Sequence, residues 1–415
     1  MKNLKKAQRL SWLIISLMVV LSACSKDDIV TDDETKLSSS EEHAGTTKST
    51  ASYGEVTRSG STFTAKVNGS TVYSGSDYMD AIQAAADNLT SGRTTKETVL
   101  IKNSGSTGSY TYEDDLKVIN IPSYTILDFN NTTFNVNDES GDDDIVPVRG
   151  RYAEHIEIKN MNITGNPRYG IKIEGCNDVL LSNITINIPD ATTIGEGIRI
   201  EYRSSTWSTN IVLEDINVSN CIHHGVETYG VDGFTFGSIV TSNTGGCGLL
   251  LNNSTNGTVE SVDAYRACYG GGYAACRFAN NCGPNITVDY VKARECGRGV
   301  FGVSGSNGFT VNYVDISGST SHGILLENVQ NCYINDGVIS NCGSEGVRIT
   351  SRSDGVYTAA QYNTVQSLVI SGCPYGIRET LPYTNHNYIL NNNLSDNDTP
   401  LYYEGDGTVA SGNTL

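Results

Sequence analysis

The stretch YGIKIEG (residues 169–175) sets a glycine before two isoleucines that flank a lysine. In an extended strand successive side chains point to opposite faces, so Ile171 and Ile173 go one way and Lys172 the other. The phrase returns as EGIRIEY, HGVETYG, CGLLLNN, YAACRFA, RGVFGVS, HGILLEN, EGVRITS and YGIRETL, with successive copies beginning 23 to 30 residues apart. A second alternating segment lies between copies, as in NIVLEDINVSN and GFTVNYVDISG, so each unit carries about three short strands separated by turns. The chain is rich in glycine (43) and tyrosine (23) and poor in Met and Trp. That balance suits short strands and frequent turns.

This pattern resembles the right-handed parallel β-helix of the pectate-lyase-like superfamily, over roughly residues 55 to 410. The expectation is an all-β fold: a single-stranded right-handed parallel β-helix of about ten coils, stacked about 4.8 Å apart, each touching mainly its neighbours. An open first coil would expose strand edges. SDYMDAIQAAADNLT answers that need: Met79, Ile82, Ala86 and Leu89 recur at helical spacing and Ser76 or Asp77 stands ready as a cap, which predicts a capping helix near 76–90. Cys221, Cys268, Cys296, Cys342 and Cys373 recur at one place in the unit, where other copies have Thr244 or Ser319. Stacked free thiols explain that recurrence better than isolated disulfides or a metal site, because no paired CxxC spacing is present.

Residues 1–23 read as a secretion signal, with Lys2, Lys5, Lys6 and Arg9 ahead of the apolar run WLIISLMVVL. LSAC resembles the lipobox of bacterial lipoproteins, which implies acylation of Cys24, membrane attachment through that lipid, and residence in the outer membrane. SKDD after Cys24 resembles the acidic tag of surface-exposed members. Residues 24–54 have too few large apolar side chains to fold alone and read as a tether to the domain at 55–415. Loss of the signal leaves 24 Lys+Arg against 46 Asp+Glu, a net of −22, so nucleic acid is excluded as a natural partner. A monomer is expected.

Aligning the copies on their inward apolar pair gives one outward column: Arg149, Lys172, Arg199, Glu227, Leu250, Arg277, Gly302, Leu325, Arg348 and Arg378. A second column reads Arg151, Glu174, Glu201, Tyr229, Asn252, Ala279, Ser304 and Glu327. Tyr169, Glu196, His224, Tyr273, Arg298 and His322 stand just upstream, and the longer connections around Arg199 bring Tyr202, Arg203 and Trp207 to one rim. The cations read as the floor of a groove for an acidic polymer; the plain alternative is a solvated sheet whose exposed charges pair weakly.

The family resemblance implies a carbohydrate cleft on one parallel sheet, with Arg or Lys facing uronate carboxylates. On that basis the expected activity is a polysaccharide lyase acting by β-elimination, since C5 proton abstraction needs a neutralised carboxylate. Arg149, Lys172 and Arg277 would bind or neutralise; Lys172, Arg199 or His224 would move the proton; Tyr229 would assist the leaving group. Glu227 is the central candidate, with Glu201, Asn252 and Trp207 as substrate contacts. Two other readings stand beside it. A glycoside hydrolase would use Glu174 with Glu201, or Glu201 with Glu227, and a noncatalytic surface glycan binder would need only the aromatic platform. Calcium is compatible with the run Asp142, Asp143, Asp144, which also reads as a solvated turn. A histidine metal site at His223 and His224 lacks a converging third ligand. The aspartate, GHG and RIK pattern of polygalacturonases and the WxDH and RxPxxR motifs of classical pectate lyases are absent.

Overall fold

Two inward aliphatic side chains per phrase cannot be buried by one strand, so the phrases bury them by stacking. The computed structural model describes residues 51–107, 117–138, 145–192, 194–352 and 355–415. The signal, Cys24, residues 24–50 of the expected tether and the run Asp142–Asp144 lie outside the described residues.

The repeated phrases form one twelve-stranded parallel sheet, from Lys117–Asn120 at one end through Tyr169–Glu174, Glu196–Glu201 and Val226–Tyr229 to Thr399–Tyr402 at the other. The register is unslipped across the middle: Lys172 pairs with Arg149 on one side and Arg199 on the other, then Arg199 with Glu227, Glu227 with Leu250 and Leu250 with Arg277. Ile171, Ile173, Ile198, Ile200, Val226 and Thr228 point inward and are fully buried. The fold is a right-handed parallel β-helix, as the resemblance implies.

The rest of each coil belongs to a second sheet, parallel from coil to coil, whose long strands, such as Glu154–Gly165, Asn177–Asn187 and Ser208–Ser219, turn a corner midway. The corner residues Asn160, Asn183 and Asp215 take positive φ, which Asn and Asp tolerate better than most residues. Asn183 Nδ2 donates to Asn160 Oδ1 at 2.9 Å and to Asn131 Oδ1 at 3.0 Å, so the corners are tied into a ladder. This is why the chain is rich in asparagine.

The glycine of the phrase has its own cause. A Cβ on Gly197 would stand 2.3 Å from the carbonyl oxygen of Gly225, and one on Gly170, Gly225 or Gly323 would stand 2.5 to 2.7 Å from the carbonyl one coil on. Backbone cannot yield as a side-chain tip can. In YAACRFA the position is taken by Ala275, which pairs its N–H with Arg298 and its carbonyl with Leu249.

At the N-terminal end the helix Tyr78–Asp87 is capped by Asp77, whose carboxylate accepts from the Asp80 N–H at 3.0 Å. Met79, Ile82, Ala86 and Leu89 are buried as expected. Gln83 protects the sheet edge directly: it accepts from the Asn120 N–H (2.7 Å) and donates to the Asn120 carbonyl (3.0 Å). The chain ahead of the helix departs from the expectation of coil from residue 55. Tyr53–Ser59, Thr62–Val67 and Ser70–Gly75 form an antiparallel meander, with Asn68 and Gly69, both at positive φ, making its second turn.

All ten cysteines of the described residues are free and buried. Hydrogen bonds between coils place Cys221, Thr244, Ala267, Cys296, Ser319 and Cys342 in one ladder, so Ala267 and not Cys268 fills that rung. Cys268 sits one residue further on, at positive φ, where its sulfur accepts from the Tyr273 N–H. Among the described residues no helix is long and apolar enough to cross a membrane.

Candidate functional site

The outward side of the twelve-stranded sheet carries most of the expected site residues in line, with two corrections. Arg277 pairs with Phe301, and Val303 with Glu327, so Phe301 and Val303 occupy the columns assigned to Gly302 and Ser304. The phrase RGVFGVS has its second glycine inward, and its outward residues are apolar, which inverts the usual reading of alternation. Likewise Ala274, not Tyr273, is the rung above Cys247.

The early coils form a closed charge network. Arg199 contacts three carboxylates: Glu201 at 2.9 Å, Glu196 at 3.8 Å, and Glu227 most closely of all. Burial disfavours its charge, but Glu196, Glu227 and Glu201 outweigh that and raise its pKa. Lys172 reaches Glu201 (3.1 Å) and Glu174 (3.5 Å), and Glu174 also takes Arg151 (2.8 Å) and Arg203 (2.9 Å). Burial would raise the Glu174 pKa; Lys172, Arg151 and Arg203 bring it below the usual carboxylate value instead. Glu174 is therefore unsuited to be the acid of a hydrolase pair, which needs a raised pKa. Arg149 donates to Asn120 Oδ1 and stands 3.9 Å from Glu174. The expected cationic floor is thus largely neutralised from within.

Glu227 is buried (3 %), with Oε2 held by Arg199 and Oε1 accepting from Asn252 Nδ2 at 3.1 Å. Its position orients Arg199 rather than facing a groove. Tyr229, in the next column, does face open space: with Arg199, Glu201, Tyr202, Arg203 and Ser204 it lines a cavity of about 320 Å³. Its ring meets Tyr202 edge-on at 5.2 Å, with the Arg199 guanidinium 5.7 Å from its centroid. Trp207 is exposed beyond this cavity and does not line it.

His224 is also buried (3 %). Its Nδ1 accepts the Cys247 N–H at 2.7 Å, which fixes the ring proton of the neutral form on Nε2, 3.9 Å from Glu227. Burial, then His223, Arg277 and Arg199, lower its pKa to about 3. His224 is therefore a neutral donor whose one ring lone pair is taken by backbone, an arrangement that does not suit the proton-moving role expected of it. Its neighbour His223 pairs with Glu196 (3.3 Å), which raises the His223 pKa. Burial raises the Glu196 pKa to about 7. Sequence alignment placed Glu196 upstream of the face and gave it no role; its burial beside a second histidine was the missing information.

His223, His224 and Glu227 bring one ligand atom each within 4.8 Å of one another, so a third ligand does converge, contrary to the expectation from spacing. The chemistry of the set opposes a metal. His224 has spent its lone pair on a backbone N–H, and Glu227 is occupied by a guanidinium.

Past Glu227 the face changes character. Cys247, Leu250, Ala274, Ala279, Phe301, Val303 and Leu325 make a small apolar cluster on the outward side, separate from the core. Two guanidiniums lie on it. Arg277 stacks between Tyr273 (4.8 Å) and Phe301 (5.0 Å), and Arg298 lies 4.7 Å from Phe301. Among the described residues neither makes an ion pair with a carboxylate, and the Nε of each is buried without a partner. Burial lowers the pKa of Arg298, whose Nη1 donates to the Gly272 carbonyl. These are the cations of the face with charge to spare.

Comparison with known proteins agrees on architecture. A family described as right-handed β-helix region matches residues 146–301, and one described as periplasmic copper-binding protein (NosD) matches residues 275–414, a span that excludes His223, His224 and Glu227. No curated protein matches. Among solved structures, the A-module of mannuronan C-5 epimerase AlgE6 from Azotobacter vinelandii is 18% identical, with 81% of this chain and 95% of that chain covered at a TM-score of 0.65. The A-module of AlgE4 from the same organism is 16% identical over 81% and 96%, at 0.62. At such identities the likeness is one of fold.

Proposed function

We propose that this chain acts on a uronic-acid-containing polysaccharide laid along the twelve-stranded face, by abstracting the C5 proton of a uronate, with β-elimination as the outcome. The observation that carries the reading is the pair Arg277 and Arg298: in a chain of net charge −18, two guanidiniums on neighbouring coils sit on an apolar floor with no carboxylate in ion-pair contact among the described residues. A uronate carboxylate would pair with these guanidiniums, and its neutralisation is what makes C5–H acidic enough to remove. Tyr229 is the proton-transfer group: it lines the cavity, while Lys172 is bound to Glu201 and Arg199 to Glu227. Acting as the phenolate, its oxygen takes the C5 proton and becomes the phenol; the C4–O bond breaks as the C4–C5 double bond forms, and the phenol gives that proton to the departing oxygen, which restores the phenolate. Lipid attachment at Cys24 would hold the enzyme at the outer membrane, where such polymers are met.

Epimerisation is the second reading, supported by the fold shared with two mannuronan C-5 epimerase modules. It begins with the same abstraction and ends with reprotonation from the opposite side of the ring. Incubation of the chain with pectate, alginate and a glycosaminoglycan in deuterium oxide separates the outcomes. Elimination gives chain cleavage with an unsaturated uronate that absorbs in the ultraviolet; epimerisation gives deuterium at C5 without cleavage. Cleavage with uptake of water and no unsaturation would instead identify a hydrolase, and binding with no product a glycan-binding protein.

A further inference from the structure

Four coils beyond His224, the same face carries a second histidine with the opposite hydrogen bonding. Ser321 Oγ lies 2.5 Å from His322 Nδ1, and His322 Nε2 lies 3.2 Å from Glu345 Oε2. Glu345 is fully buried (0 %), accepts from Ser344 Oγ (2.5 Å) and Arg348 Nη1 (2.8 Å), and stands 3.3 Å from Arg378. Burial would raise its pKa, yet Ser344, His322 and Arg348 together bring it below the usual value, so it is a carboxylate at neutral pH. A carboxylate at Nε2 fixes the ring proton there and leaves the Nδ1 lone pair facing the Ser321 hydroxyl. Burial, against the pull of Glu345 and with the help of Arg298 and Arg348, lowers the His322 pKa to about 4, so the ring is neutral at pH 7.

Nucleophile, base and orienting acid are thus in contact in the order acyl transfer requires. Ser321 and His322 are only partly buried, whereas Glu345 is enclosed, as the three roles demand. Arg298 is the rung next to His322 on the preceding coil and holds an unpartnered donor nitrogen, a positive group for a developing oxyanion. Leu325 and Phe301 supply an apolar floor beside it.

We propose that Ser321, His322 and Glu345 form an acyl-transfer centre that hydrolyses carboxylic esters. Ser321 Oγ adds to the ester carbonyl as its proton passes to His322 Nδ1. The C–O bond to the alcohol breaks and the alcohol leaves with that proton. Water, deprotonated by His322, then releases the acid and restores the serine. Because the centre shares its face with Arg277 and Arg298, the ester is one carried on the acidic polysaccharide, either an O-acyl group or the methyl ester of a uronate; this part rests on the function proposed above.

The test uses the full chain with two probes that contain no sugar. A fluorophosphonate is expected to add once, on Ser321 by peptide mass, and p-nitrophenyl acetate to be hydrolysed with a rate that falls roughly 10²- to 10⁴-fold in Ser321→Ala. No adduct on Ser321, or unchanged hydrolysis in the variant, overturns the proposal whatever becomes of the uronate chemistry. Acetylated and methyl-esterified polyuronates then locate the ester by release of acetate or of methanol. Release of neither, with the aryl ester still cleaved, overturns its assignment to the glycan.

Discussion

Arg199 and Arg277 stand in one column three coils apart, and the structure assigns them opposite duties that one experiment separates. Replacing Arg199 by Met strips the shared cation from Glu196, Glu201 and Glu227, two of which are almost fully buried. Removing one partner of a buried ion pair costs about 3–5 kcal/mol. Arg199 keeps a side-chain exposure of 18 %, and Lys172 still serves Glu201, so the lower end, about 3 kcal/mol, is expected. Adding Glu227→Gln to that variant removes one uncompensated charge and should restore about 1–2 kcal/mol. Arg277→Gln takes away a guanidinium that, among the described residues, has no carboxylate in ion-pair contact, and so strips no described buried anion of its partner. Its ring contacts contribute about 0.5–1 kcal/mol, partly offset by relief of desolvation, so stability should change by less than about 1 kcal/mol. Affinity is where it should be felt: a charge-assisted contact to a uronate is worth about 1.5–3 kcal/mol, or roughly 10- to 150-fold in Kd. Denaturant midpoints and calorimetric titration with a polyuronate oligomer report the two quantities. Should Arg277→Gln unfold the chain while Arg199→Met costs only affinity, the division into network and binding cations would be wrong.

Tyr229→Phe should retain oligomer binding within about threefold while turnover falls roughly 10²- to 10⁴-fold, read as loss of kcat at unchanged KM. Acid should destabilise the fold through His224 and His322: their folded pKa values, about 3 and 4, lie below the ordinary 6.5, so the unfolded chain binds more protons and stability is lost as pH falls below about 6.5. At pH 5 His224 accounts for up to about 2 kcal/mol, so the pH 7 to 5 change in denaturation midpoint should shrink in His224→Gln. Glu196 and His223, both raised, oppose this trend, their contribution being largest at low pH and declining as pH rises through their folded values. Gly197→Ala drives a Cβ to within 2.3 Å of the Gly225 carbonyl and should cost about 1–3 kcal/mol by thermal or chemical denaturation. Gly272→Ala, whose Cβ would meet nothing nearer than Arg298 Nη1 at 3.9 Å, should be neutral within about 0.5 kcal/mol.

The architecture was legible because burial repeats. Every coil must hide the same two positions and turn the same tight corner, so Ile171, Ile198 and Val226 announce the sheet together with the glycine before each. Reading failed where a local feature broke the code. RGVFGVS offers apolar residues at alternate positions on both faces, and Phe301 is outward only because two guanidiniums cover it. The tyrosine and cysteine around residue 268 slip by one because a left-handed residue interrupts the coil there. The N-terminal meander left a signal in Asn68–Gly69 that the periodicity of the later coils overshadowed. For the site, positions along the face could be counted from sequence, but pairing could not. Whether a cation is available depends on which carboxylates two or three coils away reach it, and that is set by side-chain packing across the sheet.

The two phrases EGIRI (residues 196–200) and EGVRI (residues 345–349) show how far identical code can diverge. Each buries its glutamate almost completely, sets an arginine three residues on within 4 Å of it, and stands beside a coil with histidine in the glutamate's column. In the first, the histidine is on the following coil, its Nδ1 meets the N–H of Cys247, and its lone pair is consumed by backbone. In the second, the histidine is on the preceding coil, its Nε2 faces the glutamate and its Nδ1 meets a serine hydroxyl. The glutamates follow suit: burial pushes Glu196, which shares Arg199 with two other carboxylates, up to about 7, whereas Glu345, in contact with both Arg348 and Arg378, is held down. A repeat fixes where a side chain stands. The order of its neighbours along the helix axis fixes which of its protons can move, and on this face that order leaves a structural, neutral histidine at one end and a reactive one at the other.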